Sequence, residues 1–146
     1  MEQNTSDKEI ISELFVSRDT ISERLRSIVE MSKGVVHIIE ETGDVLIEDE
    51  TSLNNAERIF LNLLGKYFSY KSGFCDSPTM QLGDIADKLT VPRTTIPAPM
   101  NVLTSDKTVS KSEKGAYQIN MENYKKTKEL LQKIRNKIFG AEENVS

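Results

Sequence analysis

Apolar positions change their period several times along the chain, and each change marks an element. From Asp7 to Lys33, Ile10, Ile11, Leu14, Phe15, Ile21, Leu25, Ile28 and Val29 recur at steps of three and four with charges between them. That spacing predicts one long amphipathic helix. Arg18 falls on its apolar seam, which suits a helix that is partly exposed or packed on a partner. Gly34 follows Lys33 and reads as a C-terminal cap with a cation in the last turn. Next, Val35-Val36-His37-Ile38-Ile39-Glu40 and Asp44-Val45-Leu46-Ile47-Glu48 answer each other across Glu41-Thr42-Gly43. They predict a β-hairpin whose turn uses the positive φ open to Gly43. The run Glu48-Asp49-Glu50 reads as a solvated linker.

Asn54 with Glu57 three residues later forms a capping-box pattern. The helix it opens, from about Asn55 to Tyr70, carries a broad stripe of Ile59, Phe60, Leu63, Leu64, Tyr67 and Phe68. Residues 71–78 read as a loop, with Ser77 or Thr79 placed to cap the next helix. From Gln81 to Thr104 two short helical patterns succeed one another. Leu82, Ile85, Ala86 and Leu89 define the first; Ile96, Met100 and Leu103 define the second. Thr90-Val91-Pro92-Arg93 separates them, because Pro92 has no amide donor and pushes Val91 out of helical geometry. Two helices joined by a tight turn, with small Ala86 at their closest approach, are a helix-turn-helix pattern. Beyond Thr104, Lys107–Lys111 and Ala116–Asn120 are strand-like runs around a turn containing Gly115. Met121 to Phe139 is a final helix with Tyr124, Thr127, Leu131, Ile134 and Ile138 on one seam. Gly140 ends it, and residues 141–146 read as a frayed tail. The fold class is α+β, organised as an N-terminal helix and acidic hairpin (1–52), a central domain (53–120) and a C-terminal helix with its tail (121–146).

Charge sharpens this division. The net charge over 146 residues is −4. Residues 1–52 hold 5 Lys and Arg against 13 Asp and Glu, a balance of −8, whereas residues 53–146 hold 14 against 10, a balance of +4. Between Lys66 and Phe139 the surplus reaches +6, from 13 cations and 7 carboxylates. Such asymmetry fits a chain of which only one part meets a polyanion. No apolar run approaches the roughly 20 residues of a membrane-spanning helix. The N-terminus does not look like a secretory signal, and lone Cys75 forms no internal disulfide. The expected compartment is the cytoplasm, with nucleoid association if DNA is bound.

Helix, helix, turn, helix and then a lysine-bearing hairpin is an order that resembles the winged-helix domains of bacterial and archaeal transcription regulators. The resemblance rests on Ile85, Ala86, Leu89, Val91 and Ile96 in the helix-turn-helix and on 107–120 as the wing, about half the chain. Flanking helices on both sides are similar to those of MarR-type dimeric regulators, although the hairpin at 35–48 is no part of that pattern. The resemblance implies double-stranded DNA as a partner, with the second helix in the major groove and the wing on the backbone or minor groove. On this sequence it implies Arg93, Thr94, Thr95, Ala98 and Asn101 as the reading face, and Ile96, Met100 and Leu103 as core. Asn101 would read an adenine edge, and Arg93 a guanine or a phosphate. Lys107, Lys111, Ser112 and Lys114 would meet phosphates. A homodimer through the N- and C-terminal helices is expected, the rival being a monomer in which those helices pack on each other.

Two features depart from the family pattern. Thr90 stands where glycine is usual, so the turn has to find another geometry. Pro97 and Pro99 both fit only if the regular helix begins near Ile96, which leaves it barely two turns long. These prolines favour the alternative, a winged-helix protein-interaction module within a larger assembly, with Pro97, Pro99 and Met100 as its face. An enzyme is not expected. The seven glycines are dispersed with no phosphate loop, no Cys/His cluster suits zinc, and no nucleophile has a plausible base, since His37, the single histidine, sits in the other subregion. Asp84 and Asp87 lie one turn apart on an exposed helix face and read as solubilising. No cofactor or metal is expected.

Overall fold

The computed structural model describes residues 2–15, 18–112 and 114–140. Among them the chain is a mixed α+β protein with six helices and two small antiparallel hairpins. It divides between Glu30 and Met31 into two compact units.

The first unit holds α1 (Glu2–Ser12) and most of α2 (Arg18–Ser32). The single helix expected from Asp7 to Lys33 is therefore two. No proline or glycine breaks it. Instead the Ser12 hydroxyl donates to the Glu9 carbonyl at 2.6 Å, and the amides of Glu13, Leu14 and Phe15 donate to carbonyls three residues back. A serine that takes a backbone carbonyl for itself, followed by this tighter spacing, closes the helix. The seam position expected for the Arg18 side chain lies outside the described residues.

In the second unit α2 ends at Ser32, with Gly34 at φ 79° as expected, but Lys33 lies just beyond the helix and no cation stands in its last turn. The first hairpin pairs β1 (Val36–Ile38) with β2 (Val45–Ile47), in the register Val36 to Ile47 and Ile38 to Val45. His37 and Glu48 form an exposed pair, Nε2 to Oε1 3.1 Å. The acidic run that follows is not a free linker. Asp49 adopts a left-handed conformation, φ 48°, and its carboxylate accepts from Thr51 and Ser52 in a 3-10 turn. Glu50 pairs with Arg58, whose guanidinium also donates to the Leu89 carbonyl at 2.7 Å.

Helix α3 (Asn55–Lys71) is the centre of this unit. Its capping box is complete: Asn54 Oδ1 accepts from the Glu57 amide at 2.9 Å, and Glu57 Oε1 accepts from the Asn54 amide at 3.0 Å. Ile59, Phe60, Leu61, Leu63 and Leu64 are fully buried, each side chain contributing about 1.5–3 kcal/mol. One helix can bury so much because both hairpins, α4 (Leu82–Leu89) and α5 (Pro97–Ser105) all contact it. Ile85, Ala86 and Leu89 from α4, and Ile96, Met100 and Leu103 from the α5 region, complete the core as their spacing predicts.

Between α3 and α4, Met80 pairs with Tyr117 by two backbone hydrogen bonds, 2.8 and 2.9 Å. That pairing adds a one-residue strand to the second hairpin, β3 (Val109–Lys111) with β4 (Tyr117–Ile119). Neither Ser77 nor Thr79 caps α4, contrary to expectation. Their hydroxyls bond to each other at 2.7 Å, and Gln81 begins the helix without a side-chain cap. Finally α6 (Tyr124–Phe139) starts three residues later than expected. Asn120 and Asn123 are diverted to cap the Lys107 carbonyl, at 2.9 and 3.1 Å. Lys137 holds buried Glu57 at 2.7 Å, and Arg135 Nη1 donates to the Met31 and Lys33 carbonyls at the end of α2, both at 2.9 Å. Residues 141–146, read from the sequence as a tail, lie outside the described residues.

Candidate nucleic-acid interface

The turn between α4 and α5 keeps a left-handed residue although no glycine is there. Thr90 itself takes φ 57°, ψ 50°. Its amide reaches the Ala86 and Asp87 carbonyls, and the Val91 amide follows to the Ala86 carbonyl at 3.0 Å. This closes α4 in the manner usually reserved for glycine. The expectation of a different turn geometry is thereby corrected: a β-branched residue takes the strained conformation, with its side chain exposed. Pro92 then opens a 3-10 turn of Arg93–Thr95, and α5 follows with Pro97 at its first position. Both prolines fall in the first turn, where their missing donors have no helical partner to lose.

Arg93, Thr94 and Asn101 are exposed, as is Ala98, and Thr95 is half-buried. They occupy two consecutive segments in contact, the 3-10 turn and α5. Arg93 is folded back: a Cβ added to Gly83 would lie 2.7 Å from its Nη2. The guanidinium therefore covers the first turn of α4 and has to swing off it to reach a ligand. Val102, also on α5, is 54% exposed. Met100, named with Pro97 and Pro99 as a possible protein-binding face, is 2% exposed and belongs to the core. The outward apolar residues there are Pro97, Ala98 and Val102.

The lysines occupy distinct places on the second hairpin. Lys107 is not in a strand; it takes φ 61° in the turn that leaves α5, with its side chain exposed. Lys111 ends β3, its Nζ 5.7 Å from the centre of the Tyr117 ring, a contact worth about 0.5–1 kcal/mol at an exposed site. Ser112 builds the turn, its hydroxyl oxygen accepting from the Ala116 amide at 3.2 Å. Lys114 is exposed beside Gly115, whose φ is 82°. Glu113 between them lies outside the described residues.

Two features of this region leave no mark in the sequence. The Met80 strand carries no periodic signal, being one residue long. The left-handed turn at Thr90 is hidden because threonine disfavours that conformation. Among the described residues no group of three or more His, Cys, Asp or Glu side chains is placed to hold a metal ion, and no helix is long and apolar enough to cross a membrane. No protein-family model, curated protein or solved structure matches the chain.

Proposed function

We propose that the second unit is a winged-helix DNA-binding module, in a regulator of transcription or a chromatin-associated factor. The observation that carries this reading is the pairing of Met80 with Tyr117. It bridges the segment between α3 and α4 to the hairpin, and so ties the wing to the start of the helix-turn-helix. The exposure of Arg93, Thr94, Asn101, Lys107, Lys111 and Lys114 supports it further, since none is used in the core. In this reading α5 enters the major groove, Asn101 reads a base edge, and Lys111 and Lys114 meet phosphates.

Fluorescence anisotropy with labelled duplex DNA, across a salt series, tests it. Affinity is expected to fall with a slope of roughly −0.9 in log–log units per phosphate neutralised. Lys111→Glu with Lys114→Glu weakens binding to all sequences and flattens the slope by about one unit per lost contact. Asn101→Ala costs about 1–3 kcal/mol on a preferred site and little on random DNA. Absence of binding at low salt, or binding indifferent to the two lysines, removes the reading. The interaction-module alternative, favoured by exposed Val102 beside Pro97 and Ala98, then takes its place.

The homodimer belongs to the same proposal, with its surface revised. On α6 the seam residues Thr127, Leu131 and Ile134 are fully buried in the single chain. Ile10 and Ile11 at the end of α1, and Leu14 and Phe15 just after it, are instead between 51% and 79% exposed. Association through these four is expected to be lost in Leu14→Glu with Phe15→Glu, as read by sedimentation at micromolar concentration.

A further inference from the structure

Among the six described helices, α5 alone carries no charged side chain. Met100 and Leu103 turn one side of it into the core. The other side follows from the helical advance of about 100° per residue. Ala98 and Ser105 fall on one line, with Asn101 about 50° to one side and Val102 about 50° to the other. All four are exposed, Val102 by 54%. The Asn101 side-chain amide makes no hydrogen bond among the described residues. Thr104, at the margin, spends its hydroxyl on the Met100 and Asn101 carbonyls, at 3.1 and 3.3 Å.

Charge lies at the ends of this helix instead. Arg93 precedes it and Lys107 follows it, both exposed. Asp106, the carboxylate beside Lys107, falls about a quarter-turn off the outward face. The nine residues of α5 span about 13 Å, close to the roughly 12 Å width of the major groove of DNA. A neutral face of that length between cations suits base edges lying between two rails of phosphate. The apolar part is small. Pro97, Ala98 and Val102 expose far less than the roughly 800 Å² that each partner gives to a standard protein interface.

We propose that α5 reads the 5-methyl groups of thymine, with Ala98 and Val102 as the hydrocarbon contacts and Asn101 as the reader of adenine. The proposal rests on the DNA reading above and names the base pairs that it selects. In the major groove the thymine methyl is the one hydrocarbon group that a base pair presents, and asparagine pairs with N6 and N7 of adenine. Guanine is read by arginine or lysine. Helix α5 offers neither, and Arg93, the nearest, is folded onto α4. One free amide flanked by methyl groups therefore selects A·T pairs over G·C pairs.

Fluorescence anisotropy of the full chain tests it with three short duplexes of equal length. One is of mixed A·T sequence, the second is the same with every thymine replaced by uracil, and the third is G·C. The uracil duplex keeps every phosphate and base-pairing group and lacks only the methyls. The thymine duplex is expected to bind at least about fourfold tighter than the uracil duplex, the gain from burying one methyl group. Ala98→Ser with Val102→Ser should bring that ratio close to one, and leave the salt slope and the affinity for the uracil duplex unchanged. Equal binding of thymine and uracil duplexes, still weakened by Lys111→Glu with Lys114→Glu, overturns this proposal and leaves the DNA reading standing. So does a thymine preference that survives the double serine variant, because the preference then comes from the stiffness of the duplex. Tighter binding of the G·C duplex overturns it too. No binding of any duplex at low salt removes both readings, and the face of Pro97, Ala98 and Val102 then belongs to a protein partner.

Discussion

The two hairpins share a local plan and have opposite fates. Each pairs three residues on three, antiparallel, and each turns through a glycine near φ 80°, Gly43 in one and Gly115 in the other. The first has four carboxylates and no lysine or arginine between Val35 and Glu48. The second has three lysines between Lys107 and Asn120. The first is packed down at its turn: a Cβ on Gly43 would meet Phe74 Cβ at 2.5 Å and Ser69 Oγ at 3.0 Å. At the second turn a Cβ on Gly115 would meet nothing within 4 Å. A turn glycine thus does two separable jobs. At Gly115 it supplies only the left-handed backbone. At Gly43 it also makes room for a neighbour, and the hairpin becomes a wall rather than an arm.

The largest effect should follow from breaking the wall. Gly43→Ala combines left-handed strain of about 1–2 kcal/mol with overpacking of about 1–3 kcal/mol against Phe74. Urea unfolding is expected to show a loss of about 2–4 kcal/mol. Adding Phe74→Gly, which alone removes the Cβ at 2.5 Å as well as the ring, should recover the packing part and leave the backbone part, so the double-mutant cycle separates the two jobs. Additive losses would mean that the close approach at Gly43 is not what holds the turn.

Much of this unit was legible because its signals are local or periodic. The capping box at Asn54 and Glu57, and the core face of Ile96, Met100 and Leu103, depend on spacing along one helix. The break after Ser12 was not legible, since a serine inside an apolar repeat takes a carbonyl only when the backbone lets it. Val102 was hidden for a different reason. Its place off the seam of Ile96, Met100 and Leu103 is legible, but an apolar side chain carries no sign that it serves the surface.

Thr90 shows what happens when a left-handed position lacks its glycine, and it predicts a gain of intermediate size. At φ 57° a β-branched residue bears about 1–2 kcal/mol of strain, of which glycine's greater chain entropy would return only part. The Thr90 side chain is exposed and makes no hydrogen bond in the described structure, so its removal loses little. Thr90→Gly is expected to raise stability by about 0.5–1 kcal/mol. An unchanged or lower urea midpoint would show that the threonine is relaxed in this turn.

The smallest effect belongs to the arm, and it sharpens the contrast with the wall. Asparagine is the residue after glycine that best tolerates the left-handed region, because its short side chain bonds to nearby backbone. At position 115 it would find open space and a turn already closed by the Ser112 and Ala116 hydrogen bonds, 2.7 Å from the Ser112 amide to the Ala116 carbonyl. Gly115→Asn should therefore change stability by less than about 0.5 kcal/mol. It should also leave any salt-dependent DNA affinity intact, since Lys111 and Lys114 keep their charge and exposure. The same substitution at Gly43 meets Phe74 whatever its backbone tolerance, and should lose about 2 kcal/mol. Equal losses at the two positions would place the whole cost in the left-handed backbone and remove the distinction between wall and arm.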